Sequence, residues 1–94
     1  MDLVAEVAVE NALFYFDKRF SYRVPRELGE QVRRGVRVLV PFGRGNRKVS
    51  GLVFSVGESR PERPLKPVLA VIDREPVLNE EGFRILEYMA DAAF

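Results

Sequence analysis

The 94-residue chain contains no cysteine and no histidine. The first absence excludes a disulfide scaffold, a thiolate zinc site and a cysteine nucleophile. The second removes the usual general base near neutral pH and the commonest metal ligand, so no serine has an imidazole to activate it. Adjacent carboxylates do occur, as at Glu80-Glu81, but they stand at the start of a helical pattern, where capping and the helix dipole account for them. No catalytic constellation remains. Long apolar stretches are also missing: no uncharged run approaches the ~20 residues that a transmembrane helix needs. The opening residues carry Asp2 and Glu6 where a signal peptide would carry Lys or Arg, so the expected location is the cytoplasm. The length gives room for one core spanning residues 1–94 and not for two.

What is abundant is charge, and its placement matters more than its sum. Lys and Arg number 15 against 14 Asp and Glu, a net +1. Residues 1–17 hold four acids and no base, residues 18–66 hold thirteen bases against four acids, and residues 67–94 hold two bases against six acids. From Gln31 to Gly57 there are six bases (Arg33, Arg34, Arg37, Arg44, Arg47, Lys48) and no acid. On a compact body such a run makes either a positive face that attracts phosphates or a surface whose charges the fold returns to nearby carboxylates.

The apolar pattern is mainly that of strands. Leu3, Ala5, Val7 and Val9 share one parity and Glu6 and Glu10 the other, which predicts a half-buried strand over residues 2–9. Phe20 to Val24 is a second, short extended run stopped by Pro25. Gly35 turns a polar connector into Val36 to Val40, the clearest strand in the chain. Pro41-Phe42-Gly43 closes that run, and Gly43-Arg44-Gly45-Asn46 supplies residues that accept the positive φ of a tight reversal. Lys48 to Val56 returns as the other arm of a hairpin, with Leu52, Phe54 and Val56 expected on one face. Residues 57–67 carry three prolines and alternating charges, so they are expected to form a mobile surface loop. A short strand follows at Val68 to Ile72. Asn79 is positioned to cap a helix over residues 79–94 whose apolar stripe is Phe83, Leu86, Met89, Ala90 and Ala93. The chain stops inside that helical pattern, and more polypeptide is expected downstream. The predicted class is mainly β (α+β): a small, partly open barrel of OB or SH3-like type with a C-terminal helix.

The glycines around Lys48 suggest a phosphate loop, but the spacing fails. Lys48 follows Arg47 instead of a glycine, and a strand follows instead of a helix. The aromatics are more informative. Phe14-Tyr15-Phe16, Asp17-Lys18-Arg19 and Phe20-Ser21-Tyr22 interleave rings with basic groups, a composition that suits stacking against single-stranded bases. Phe20 and Tyr22 share a parity and are expected to point into the core. Phe14, Tyr15 and Phe16 cannot all do so, and at least one is expected to be exposed.

Several of these segments, in this order, resemble the N-terminal domain of the replication-restart helicase family PriA (primosomal protein N′). They are Ala5-Glu6-Val7, the run from Phe16 to Pro25, the run from Gly35 to Gly43, Gly51-Leu52-Val53, Leu65-Lys66-Pro67-Val68 and Glu75-Pro76-Val77-Leu78. The resemblance implies a domain that binds DNA, forked or single-stranded with a free 3′ end, and captures the 3′ end of the nascent leading strand at a stalled fork. It implies a terminal-nucleotide pocket at Phe20, Ser21, Gly43 and Lys66; by their charge, Arg44, Arg47 and Lys48 would either add phosphate contacts or only solvate the hairpin tip. The family often has Asp where this chain has Ser21, and a serine hydroxyl donates or accepts without charge. ATP, Mg and zinc belong by resemblance to the helicase portion, which this chain lacks, so no cofactor and no enzymatic activity are expected of it. The expected partners are DNA and the remaining helicase domains, with the domain itself monomeric and not membrane-bound. The competing class is a small protein-interaction barrel that contacts a single-stranded DNA-binding protein or other parts of the helicase.

Overall fold

The period-two pattern of the opening residues places Ala5, Val7 and Val9 on the inner face of β1 (Asp2–Val9). The computed structural model describes residues 2–9 and 19–92, with backbone alone at 87 and 89–92. The other elements are β2 (Arg19–Arg23), β3 (Arg37–Phe42), β4 (Arg47–Ser59), β5 (Ala70–Val71) and α1 (Glu80–Ala92), with a 3-10 turn at Arg26–Leu28. The strands form one antiparallel sheet in the order β2-β1-β4-β3-β5. Its inner face buries Tyr22 and a set of valines, among them Val24, Val32, Val36, Val38, Val40, Val53 and Val68. β-Branched side chains suit such a curved, crowded interior because few rotamers are lost on burial. Gly51 lets β4 approach β1 closely: a Cβ there would lie 2.5 Å from Val7 Cγ1.

The outer face carries a second, smaller cluster of Ala8, Phe54 and Phe83, flanked by Leu52, Leu78 and Leu86. It seats α1 on the sheet. The Phe54 and Phe83 rings meet edge to face with centroids 4.9 Å apart, and each ring buried in this way contributes roughly 1.5–3 kcal/mol. Arg34 stacks over Phe83 at 3.8 Å and reaches Glu80 in the first turn of the helix at 2.7 Å. Asn79 Oδ1 accepts the Gly82 N–H at 2.9 Å, the cap expected from sequence. The side chains of Met89, Ala90 and Ala93 lie outside the described residues.

Several details differ from the sequence reading, each for a reason of pairing. In β4, Ser55 pairs with Glu6 but Val53 pairs with the next residue, Val7. Phe54 is therefore the extra residue of a bulge. The bulge returns Val56 to the inner core while Leu52 and Phe54 stay outside, so the three do not share a face. The loop assigned to residues 57–67 begins only at Arg60, because Gly57, Glu58 and Ser59 continue β4 opposite Val4, Leu3 and Asp2. The last strand is reduced to Ala70–Val71, because residues 66–68 leave β3 to bond β2.

That departure draws the sheet round into the expected small, partly open barrel. Arg23 N–H donates to Lys66 O and Val68 N–H donates to Arg23 O, both at 2.9 Å, while Leu69 N–H donates to Leu39 O at 2.8 Å. Residues 66–69 thus connect β2 to β3, which share no ladder. β3 runs on through Pro41, opposite Lys48. Proline is tolerated there because its carbonyl faces the seam toward β2, where Tyr22 Oη donates to it at 2.9 Å. The missing N–H points to the same side and interrupts no ladder bond. Among the described residues, no helix is long and apolar enough to cross a membrane.

Candidate nucleic-acid interface

β2 starts at the mouth of the barrel, and its two aromatic residues separate by depth. Tyr22 is 4% exposed and belongs to the core, whereas Phe20 remains 38% exposed. The expectation that both belong to the core therefore holds for Tyr22 alone. Phe20 packs its ring against Phe42 of β3, edge to face, with centroids 5.2 Å apart. Directly after Phe42, Gly43 opens the hairpin with φ +76°, a conformation that a side chain opposes. A Cβ on Gly43 would meet nothing within 4 Å, so one side of this backbone is open. Its carbonyl accepts the Asn46 N–H at 3.1 Å within the turn. The same oxygen accepts from Lys66 Nζ at 2.8 Å.

Lys66 is presented there by the bond between its own carbonyl and the Arg23 N–H. One ammonium proton is used on a neutral acceptor, and the group keeps its charge and two further donors. Phe20, Gly43 and Lys66, which are remote in sequence, are thus gathered around the end of the β2–β3 seam, with Phe42 as a fourth member that the Pro-Phe-Gly motif already contained.

The Ser21 side chain is not in this group. Ser21 pairs with Glu6 across β1 and β2, and its Oγ donates to Glu6 Oε1 at 2.5 Å on the outer face. Its backbone is oriented differently. Val24 N–H bonds Leu3 of β1, while Arg23 gives both its backbone groups to residues 66–68. By the two-residue period of a strand, the N–H and C=O of Ser21 point, like those of Arg23, to the edge that faces the seam.

The basic run between Gln31 and Gly57 divides in two. Arg33 bonds Glu75 at 3.2 Å, Arg34 bonds Glu80 at 2.7 Å and Arg37 bonds Asp73 at 2.8 Å. The Arg37 guanidinium and backbone N–H hold the Asp73 carboxyl below its ordinary pKa. The acids of the C-terminal third thereby neutralise half of the run. Arg44, Arg47 and Lys48, on the exposed hairpin tip beside Gly43, make no ion pair among the described residues. Phe14, Tyr15, Phe16 and Asp17 lie outside the described residues. Among the described residues, no group of three or more acidic, Cys or His side chains is arranged to hold a metal ion.

A ring, a cation, an open glycine backbone and an uncompensated basic hairpin make a surface suited to a nucleic-acid strand. Residues 6–94 match the 3′DNA-binding domain (3′BD) family of PriA. The chain is also 35% identical over 89 residues to the replication restart protein PriA of Bacillus subtilis (strain 168). That alignment covers 93% of this chain and 11% of the relative, so the chain spans about a tenth of that protein, and the matching part is a DNA-binding domain and not a helicase catalytic domain. On these matches, the chain belongs to the 3′-DNA-binding domain family of PriA.

Proposed function

We propose that the domain captures the free 3′-hydroxyl end of a DNA strand, specifically the nascent leading strand at a stalled fork, and so positions a replication-restart helicase. The observation that supports this reading most directly is the Lys66 Nζ to Gly43 O contact, beside the exposed ring of Phe20. In this reading the terminal base stacks on Phe20, an interaction worth roughly 1–3 kcal/mol. The ribose lies against the open side of Gly43, and the last phosphate is drawn to Lys66. The backbone groups of Ser21 face the base edge, and its hydroxyl, bonded to Glu6, does not substitute for the family's carboxylate. Arg44, Arg47 and Lys48 receive the preceding phosphates. A strand that continued past its terminal sugar would place a phosphate where the pocket accepts only a hydroxyl.

The reading requires no cofactor in this domain; ATP, Mg and zinc would be used by the rest of the helicase. It also places a monomer in the cytoplasm, with DNA and the remaining helicase domains as partners. A protein-contact role, toward a single-stranded DNA-binding protein or the helicase itself, is favoured separately by the exposed Ile85 and Tyr88 on α1 and by Val77.

The test is fluorescence anisotropy with two labelled oligonucleotides of one sequence, ending in 3′-hydroxyl or 3′-phosphate, at one salt concentration. Tighter binding of the hydroxyl end is expected. Equal binding would reduce the surface to a nonspecific basic groove, and binding of neither would leave the protein-contact role.

A further inference from the structure

Among the described residues, the seam between β2 and β3 is held by backbone bonds only at the end where residues 66–69 cross it. Toward Phe20 and Gly43, side chains of the described residues span it: Phe20 with Phe42, Lys66 with Gly43, and Tyr22 Oη with Pro41 O. The first two involve exposed groups that any ligand at this surface would touch and shift. The third is buried and lies beneath them. It is also irreplaceable by backbone, because Pro41 has no N–H with which to extend a ladder toward β2. Without the phenol, the Pro41 carbonyl would be left in the core without a partner.

We propose that Tyr22 is the positioning residue of the 3′-end site: its hydroxyl sets the separation between the Phe20 wall on β2 and the Phe42-Gly43 wall on β3. This rests on the end-capture reading above. Only Phe42 separates Pro41 from Gly43, so the carbonyl held by Tyr22 fixes the root of the turn that carries the open glycine. A pocket that admits a terminal sugar and refuses one bearing a phosphate must hold its walls within a few tenths of an ångström, and a buried hydrogen bond between rigid partners does so better than a flexible lysine. Tyr22 itself does not touch the nucleotide.

The experiment is the pair of oligonucleotides ending in 3′-hydroxyl and 3′-phosphate, measured on the wild-type chain and on Tyr22→Phe. The ratio of the two affinities is the readout, because both ligands see the same folded fraction and a loss of stability alone cancels. Tyr22→Phe is expected to lower the hydroxyl preference by about fivefold, the equivalent of one ordinary hydrogen bond, and to leave the salt dependence unchanged because no cation is altered. Pro41→Ala keeps the carbonyl and the phenol paired but frees the backbone that presents the acceptor. It should move the ratio in the same direction by less, and it serves if Tyr22→Phe does not fold. A wild-type preference that survives intact in the folded variants would overturn the positioning role while leaving end capture standing. Absence of any preference in the wild type would overturn both.

Discussion

Lys66 and Gly43, 23 residues apart, are joined by a hydrogen bond from the ammonium to the backbone carbonyl at 2.8 Å. The bond ties residues 66–69, which bridge β2 and β3, to the turn of the β3–β4 hairpin, and it places a cation on the carbonyl of the open glycine.

Lys66→Ala should weaken DNA binding and leave the fold intact. Lys66 is exposed, so the melting temperature should change by no more than about 0.5 kcal/mol of stability allows. The slope of log K against log salt should fall by about 0.7 if one phosphate contact on a single strand is lost. Unchanged affinity and slope would remove Lys66 from the interface.

Gly43→Ala should cost about 1 to 2 kcal/mol in a thermal melt, from the positive φ alone, because no neighbour would meet the new methyl group. Gly43→Asn should cost less, since Asn tolerates this region. Both should bind a 3′ end more weakly than their stability explains, because the Cβ occupies the side assigned to the sugar. A variant that is destabilised but binds normally would place the ribose elsewhere.

The two halves of the basic run should separate cleanly. Neutralising Arg44, Arg47 and Lys48 to Gln should flatten the salt dependence of binding with little change in stability, since none holds a carboxylate among the described residues. Neutralising Arg33, Arg34 and Arg37 should do the reverse, because these bond Glu75, Glu80 and Asp73. Paired anisotropy and melting curves on the two triple variants decide the point.

Acid stability should depend on Asp73. Its carboxylate accepts the Arg37 backbone N–H and Nε–H, both at 2.9 Å, and the Nη2–H at 2.8 Å, which lowers its pKa below the ordinary 3.8. The unfolded chain therefore binds this proton more readily than the folded one. The contribution is complete above the ordinary value and is lost as the pH falls below it through the folded-state value. Asp73→Asn should flatten that limb of the melting temperature plotted against pH. Tyr22 acts at the other end: burial raises its pKa above 10.0, so its contribution is complete below that pH and declines above it.

The sequence by itself determined what is local. Alternation in Leu3 to Val9, turn chemistry at Gly43 to Asn46 and the Asn79 cap place β1, the turn of the hairpin and the start of α1 to within a residue or two, because each depends on neighbours along the chain. The order of motifs identified the family and named Phe20, Gly43 and Lys66. Tertiary structure alone decided the rest. The bulge at Phe54 moved Val56 to the other face, because a register shift is a property of two strands and not of one. The fate of the six bases after Gln31 depended on acids some 36 to 46 positions away. Ser21 was turned from the cluster toward Glu6 by the pairing of β1 with β2. The contact of Lys66 with Gly43 exists only because a proline-interrupted seam, closed by residues 66–69 and by Tyr22, brings two distant loops to the same edge.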